Sequence, residues 1–234
     1  MTLLTIGMAV FEQPIMLAEW FRRFALAGES AGVEVVVVDD CGTPPAEVPP
    51  NVRLLRITKN TPWNQPEARN LAAQEAKGSV LLLVDPDMTF RAGGLAAFVK
   101  TAKRLQKRHV VRPMVYHGAR KAVITSPNVF LIHREDFIAS RGYDLAYCGK
   151  KGWSDITMLH TWEKMYPARY DKGLVLDLHH DGAYADAQVK TLDRSVVHNK
   201  TVHLRHMDLL RKVGIAKFLK KHSPMVTSPW VVVR

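Results

Sequence analysis

The chain has 234 residues, of which 47% are apolar and 24% charged, the proportions of a globular protein with room for one substantial core. No apolar run approaches the roughly 18 residues that span a bilayer, the first residues lack the basic flank and cleavage site of a signal peptide, and two cysteines, Cys41 and Cys148, exclude a disulfide framework or a thiolate cluster. The expectation is a cytoplasmic protein with no transmembrane segment, and its formal charge of +11 favours polyanionic partners: nucleic acid, an anionic membrane surface or phosphorylated substrates.

Leu3 to Val10 reads as a first strand. Pro14 to Ala27 follows as a helix with Ile15, Leu17, Ala18, Phe21, Phe24 and Ala25 at helical spacing, Pro14 suiting its first turn. Val33 to Val38 is a second buried strand that runs into Asp39-Asp40. A proline-rich loop leads to a short strand over 52–57, and Glu67 to Ala76 is a helix with Ala68, Leu71, Ala72 and Ala76 inward. Val80 to Val84 is a continuous apolar run, which reads as a strand buried on both faces. It ends in Asp85-Pro86-Asp87. Gly94 to Arg108 is a helix with Lys100, Lys103, Arg104, Lys107 and Arg108 on one side and Phe98, Ala102 and Leu105 on the other. Beyond it, Val110-Val111, 123–125, 128–133 and 174–178 are strand candidates. Residues 142–153 form a loop, and 154–165 a helix with Ser154 as N-cap. From about Thr201 the chain reads as a basic helical tail.

Strands alternating with helices argue for an α/β domain whose mostly parallel sheet carries helices on its faces. Ligands of such sheets bind beyond the carboxyl ends of the strands, where Asp39, Asp40, Asp85 and Asp87 stand. An Asp-x-Asp pair there suits two oxygen ligands for a hard divalent cation, although the same pair also serves as a solvated turn. The chain has no glycine-rich phosphate loop and no G-x-S-x-G elbow, against dinucleotide oxidoreductases, P-loop NTPases and serine hydrolases.

Three blocks in order, Val-Val-Val-Val-Asp39-Asp40, Glu67-Ala68-Arg69-Asn70 and Leu-Leu-Leu-Val-Asp85-Pro-Asp87, resemble the family-2 glycosyltransferases of GT-A fold, with its Rossmann-like sheet. The later run Phe130 to Phe137, Arg141-Gly-Tyr-Asp144 and Gly152-Trp-Ser-Asp155 is similar to that family's acceptor-side half, so the resemblance covers roughly residues 3 to 185. It implies a UDP-sugar or other nucleoside-diphosphate sugar as donor, with Asp39 on the base and Thr5 and Met8 lining its pocket. Asp40, Arg69, Asp85 and Pro86 would complete the nucleotide-sugar site, Arg69 near the diphosphate. Asp85 and Asp87 would hold Mn²⁺ or Mg²⁺, with His179 or His180 completing the shell. Asp155 would be the general base, and a single base implies inversion at the anomeric carbon. The family usually has an acid before that aspartate, where this chain has Ser154; Asp144 is the alternative base. Cys41-Gly42 replaces the glycine-serine pair that the family favours.

The expected division is a nucleotide-sugar-binding half over 1–110, an acceptor and catalytic half over 111–200, and the basic tail over 201–234. Lys150, Lys151 and Trp153, beside the base, are candidate acceptor-binding residues. The basic elements favour an anionic acceptor, of which a hydroxylated base in DNA is the first choice. A lipid-linked or cell-envelope glycan at a membrane surface is the alternative. A non-catalytic nucleic-acid-binding module on a degenerate transferase scaffold is a third reading, opposed by the retained carboxylates.

Overall fold

A computed structural model describes residues 2–28, 32–118, 122–179, 195–222 and 224–234. Its strands are β1 (Leu4–Val10), β2 (Val33–Asp40), β3 (Arg53–Ile57), β4 (Val80–Val84), β5 (Met88–Phe90), β6 (Val110–His117), β7 (Ala122–Thr125), β8 (Phe130–His133), β9 (Ala168–Leu178) and β10 (Trp230–Val232). The helices are α1 (Pro14–Leu26), α2 (Gln65–Glu75), α3 (Leu95–Arg104), α4 (Arg134–Ala139), α5 (Ser154–Glu163) and α6 (Val197–Leu219). One sheet runs through them in the order β10-β3-β2-β1-β4-β8-β6-β9-β5, with β7 pairing β6. Strands β3, β2, β1 and β4 are mutually parallel, and beyond β4 the pairings are mixed.

The apolar runs form central strands because both sheet faces are covered. Val35, Val37, Leu82 and Val84 pack on the side of α1 and α3, with Trp20 and Phe98. Val36 and Val38 face Ala68, Leu71 and Ala72 of α2, and Leu81 and Leu83 face Phe137 and Trp162. Alternate residues thus serve opposite layers, as the pleat requires. Helix α2 lies close on β1 because position 7 is glycine: a Cβ there would stand 2.7 Å from Leu83 Cδ2 and 3.2 Å from Ala72 Cβ. The buried face of α1 differs from the expected one. Leu17 and Trp20 point inward while Ile15 is 53% exposed, and the Trp20 indole N–H donates to Met88 O at 2.9 Å. Truncating such a buried aromatic costs about 3–5 kcal/mol.

Two long elements exceed their sequence signal. β6 has 8 residues and β9 has 11, and the first six of β9 are largely exposed, so backbone pairing to β6 rather than an apolar pattern makes them a strand. Ser154 is the first residue of α5, not its cap; Trp153 precedes it with φ 68° and makes no side-chain cap. The basic segment read as a tail contains α6, which packs on α5 and breaks at Gly214 (φ 73°, ψ 166°), and then β10, which pairs antiparallel with β3. Just before β10, Ser228 and Thr227 cap the buried Glu67 of α2, the Ser228 hydroxyl at 2.6 Å and its amide at 2.7 Å. Burial alone would push the Glu67 carboxyl up, but these hydrogen bonds hold it below its ordinary value. Among the described residues no helix is long and apolar enough to cross a membrane.

Candidate active site

The carboxyl ends of β1, β2 and β4 open together, because the three strands are parallel and in register. Beside them lies a cavity of about 140 Å³ lined by Ala9, Val10, Phe11, Asp40, Trp63 and Asn64, among others. The loops around it hold non-glycine residues in the left-handed region, Glu12 (φ 50°), Cys41 (φ 61°) and Trp63 (φ 50°), conformations that persist only where the surroundings enforce them and that cluster at functional sites. Asp39 anchors one wall. Its carboxylate accepts from Gly42 N at 2.8 Å, Ala46 N at 3.2 Å and Arg56 Nη1 at 2.6 Å. Asp40 faces the cavity itself and accepts from Asn64 Nδ2 at 3.2 Å. Burial raises its carboxyl to about 7, the Asn64 bond offsetting only part of this, while Asp39 and Glu67 add repulsion.

The next wall is a buried chain of charge. Gln65, on the cavity rim, donates to Asp85 Oδ1 at 2.9 Å, and Asn128 donates to Asp85 Oδ2 at 2.9 Å. Arg69 is fully buried and its guanidinium bridges two carboxylates, donating from Nη2 to Asp85 Oδ1 and from Nη1 to Asp155 Oδ1. Tyr143 closes the group, accepting from Arg69 Nη1 at 2.7 Å and donating to Asp155 Oδ1 at 3.0 Å. Burial works against the Arg69 charge, but Asp85 and Asp155 hold its pKa well above the ordinary value. Asp155 is raised by burial, with Arg69 and the Tyr143 bond offsetting part of it. Both anchors of Asp155 fall on Oδ1, so Oδ2 has no hydrogen-bond partner among the described residues. The arrangement aims one oxygen of a buried carboxylate away from its anchors, which suits a base taking a proton from a hydroxyl.

Asp87 differs from Asp85. Its Oδ1 is buried with no hydrogen-bond partner among the described residues, and burial, with repulsion from Asp85, raises its carboxyl to about 7. A buried carboxylate oxygen lacking a donor fits a hard divalent cation. The backbone of His179 is tied to it, His179 N donating to Asp87 O at 2.8 Å. His180 lies outside the described residues. Among the described residues no three histidine, cysteine, aspartate or glutamate side chains converge as a ligand set, and Asp87 is the carboxylate with an oxygen left to hold a metal. Pro86 is buried in the turn between the two aspartates, which Met88 N closes by donating to Asp85 O at 2.9 Å.

Other expected residues stand elsewhere. Thr5 is fully buried near the amino end of β1, donating to Glu34 at 2.7 Å and accepting from Gly78 N at 2.9 Å. Five residues of strand, about 17 Å, separate it from the carboxyl edge. Met8 is fully buried in the core on the α1 side. Neither lines the cavity; Ala9, Val10 and Phe11 do. Asp144 caps a short 3₁₀ turn over 145–147 through Ala146 N at 2.9 Å and turns its other oxygen to His206 and His222, at 3.7 and 3.6 Å. That makes Asp155, not Asp144, the carboxylate joined to Arg69 and Asp85. Lys151 Nζ stands 5.5 Å from the centre of the Trp63 ring on the cavity wall. The Lys150 carbonyl accepts from Asn199 at 2.6 Å, and the Trp153 ring lies 4.8 Å from that of His203. Gln65, Asn128 and Asn199 were not among the expected site residues. Nothing local marks them, since each acquires its partner only when distant segments meet.

A family profile described as glycosyl transferase family 2 matches residues 5–145. Among solved structures, S. aureus TarS residues 1–349 in complex with UDP-GlcNAc is similar at 13% identity and TM-score 0.68, over 93% of this chain and 69% of that one. The structure of TarS 1–349 alone gives TM-score 0.63 at 13% identity, over 93% and 68%. GalNAc-T7 with UDP, GalNAc and Mn²⁺ gives TM-score 0.60 at 14% identity, over 76% of this chain and 44% of that one. At these identities the likeness is one of fold. No curated protein matches the sequence.

Proposed function

This chain belongs to glycosyl transferase family 2, and from that premise we propose that it moves a sugar from a UDP-sugar to an acceptor hydroxyl with inversion at the anomeric carbon. The observation that carries the reading is the buried chain Asp85–Arg69–Asp155 beside Asp87, at the strand ends that border the cavity. The cavity wall of Asp40 and Asn64 takes the nucleoside, and the donor diphosphate lies toward Asp87. UDP is favoured because two similar folds, TarS and GalNAc-T7, hold UDP-GlcNAc and UDP.

In the transfer step the acceptor oxygen bonds to the anomeric carbon as the bond from that carbon to the β-phosphate oxygen breaks. The electron pair leaves with the nucleoside diphosphate, and the hydroxyl proton passes to Asp155 Oδ2. Arg69 and Tyr143 fix the carboxylate through Oδ1 and leave Oδ2 to the acceptor. Asp87, with His179, would hold a Mn²⁺ or Mg²⁺ ion, whose charge would offset the negative charge developing on the departing diphosphate. The acceptor is anionic, a hydroxylated base in DNA by preference, in keeping with the formal charge of +11 and the exposed Lys100, Lys103 and Arg104 of α3.

The test is UDP release from a panel of UDP-sugars with Mn²⁺. Asp155→Asn is expected to lower turnover by roughly 10²–10⁴-fold while UDP affinity stays within about threefold. Asp87→Ala should remove the metal dependence. Wild-type turnover in Asp155→Asn would end the assignment of the base.

A further inference from the structure

Asn199, in the first turn of α6, is fully buried, and its amide stands within donor distance of three carbonyls of the loop that leads into α5: Lys150 O at 2.6 Å, Gly152 O at 2.9 Å and Tyr147 O at 3.1 Å. The loop needs such a hold. Gly149, Gly152 and Trp153 all have positive φ, at 93°, 83° and 68°, and for Trp153 this is a conformation that the surroundings must enforce. From its other side the loop is pinned to the cavity wall, Gly149 N donating to Pro62 O at 2.8 Å and Lys151 standing over Trp63. Val196 fills the space over Gly152, where a Cβ would meet Val196 Cγ1 at 3.3 Å. One turn further along α6, His203 packs on Trp153 and its Nδ1 lies 2.8 Å from Thr157 Oγ1 on α5. Asp155 stands between these two contacts.

We propose that α6 is a clamp on the base, with Asn199 a positioning residue that fixes loop 147–153 and through it the aim of Asp155. The clamp lies outside residues 5–145, the part matched by the family profile, and it rests on the reading of Asp155 as general base. Asn199 touches neither the donor cavity nor the buried Arg69 chain. Its effect therefore falls on turnover rather than on nucleotide binding.

The experiment is Asn199→Asp, which keeps the size of the side chain but sets oxygen against the three carbonyls. Three quantities are read: UDP affinity by calorimetry, UDP release from UDP-GlcNAc with Mn²⁺ and water as acceptor, and amide hydrogen exchange. The expected result is UDP affinity within twofold of wild type, turnover at least tenfold lower, and faster exchange over 147–157 with β1 and β4 unchanged. Unchanged exchange over 147–157, turnover within threefold of wild type, or affinity falling in step with turnover would overturn the proposal. Should Asn199→Asp not fold, Gly152→Ala strains the same loop against Val196 and is read in the same way. Asp155→Asn in the same assay separates the two failures. If it is active, the base is misassigned; if it is inactive while Asn199→Asp is fully active, the clamp is wrong.

Discussion

Asp40 keeps its proton to about pH 7 in the folded chain against 3.8 for an ordinary aspartate, chiefly because burial strips water from its charge. Below about pH 4 both folded and unfolded chains hold the proton and nothing is lost. As pH rises from there to 7 the unfolded chain releases it first, so stability falls over that window and stays reduced above it. Asp40→Asn keeps an acceptor for Asn64 and removes the cost. It is expected to stabilise the protein by about 1–3 kcal/mol at pH 8 and by nothing at pH 4, read by urea unfolding at both. An equal gain at the two values would refute burial of the charge as the cause. The paired aspartates were legible as strand ends because a run of valines or leucines that stops at an acid is a local signal. Which carboxylate meets which partner was not: Asp85 is saturated by Gln65, Arg69 and Asn128, and Asp87 is not, a difference that arises from residues up to 43 positions away.

Helix α6 and the turn that follows it meet α5 and the 3₁₀ turn over 145–147 through histidines. His203, His206 and His222 face Thr157, Tyr147 and Asp144, with His160 of α5 and Arg141 also against the seam. Burial lowers all three histidines, Asp144 partly offsetting this for His206 and His222. Above about pH 6.5 they are neutral in both states and the seam is at full strength. As pH falls below that value the unfolded chain takes up protons first, and stability is lost until the folded values are passed. Thermal unfolding should therefore drop between pH 7 and 5, and His222→Phe should drop less; parallel curves for the two proteins would count against a titrating seam. The element itself was half legible. Its basic, imperfectly apolar pattern reads as a tail because only Asn199, His203, Leu210 and Phe218 are buried along it, and two of these four are polar. By contrast β1, β2 and β4 are fully or nearly fully buried, and their sequences could hardly read otherwise.

Across the whole molecule the positive charge is spread over several surfaces. Lys100 and Arg104 of α3 border a groove with Arg169 of β9, and the outer side of α6 exposes Lys200, Arg205, Arg211 and Lys212. If the acceptor is DNA, six or more phosphate contacts imply an affinity for duplex that falls by about 10³-fold or more between 50 and 200 mM salt. Lys100→Glu with Arg104→Glu should weaken binding and flatten the salt dependence. No binding to duplex at 50 mM salt, with capture by anionic vesicles instead, would move the acceptor to a membrane-borne glycan. The fold as a whole was legible through its parallel core, and the mixed half beyond β4 was not, since β9 and β10 owe their state to strands already in place.

The cap on Glu67 joins residues 160 and 161 positions apart, and β10 covers the edge of a strand completed some 170 residues earlier. At ribosomal speeds of roughly 5–20 residues per second, the earlier partner waits about 8–30 s for the later one. Throughout that interval Glu67 lacks its four donors, Asn70 lacks the Met225 carbonyl, and the backbone of β3 is an open template for another nascent chain. Slowing translation lengthens this exposure and speeding it shortens it, so the pace at which β10 is made sets how long the edge of β3 stays open.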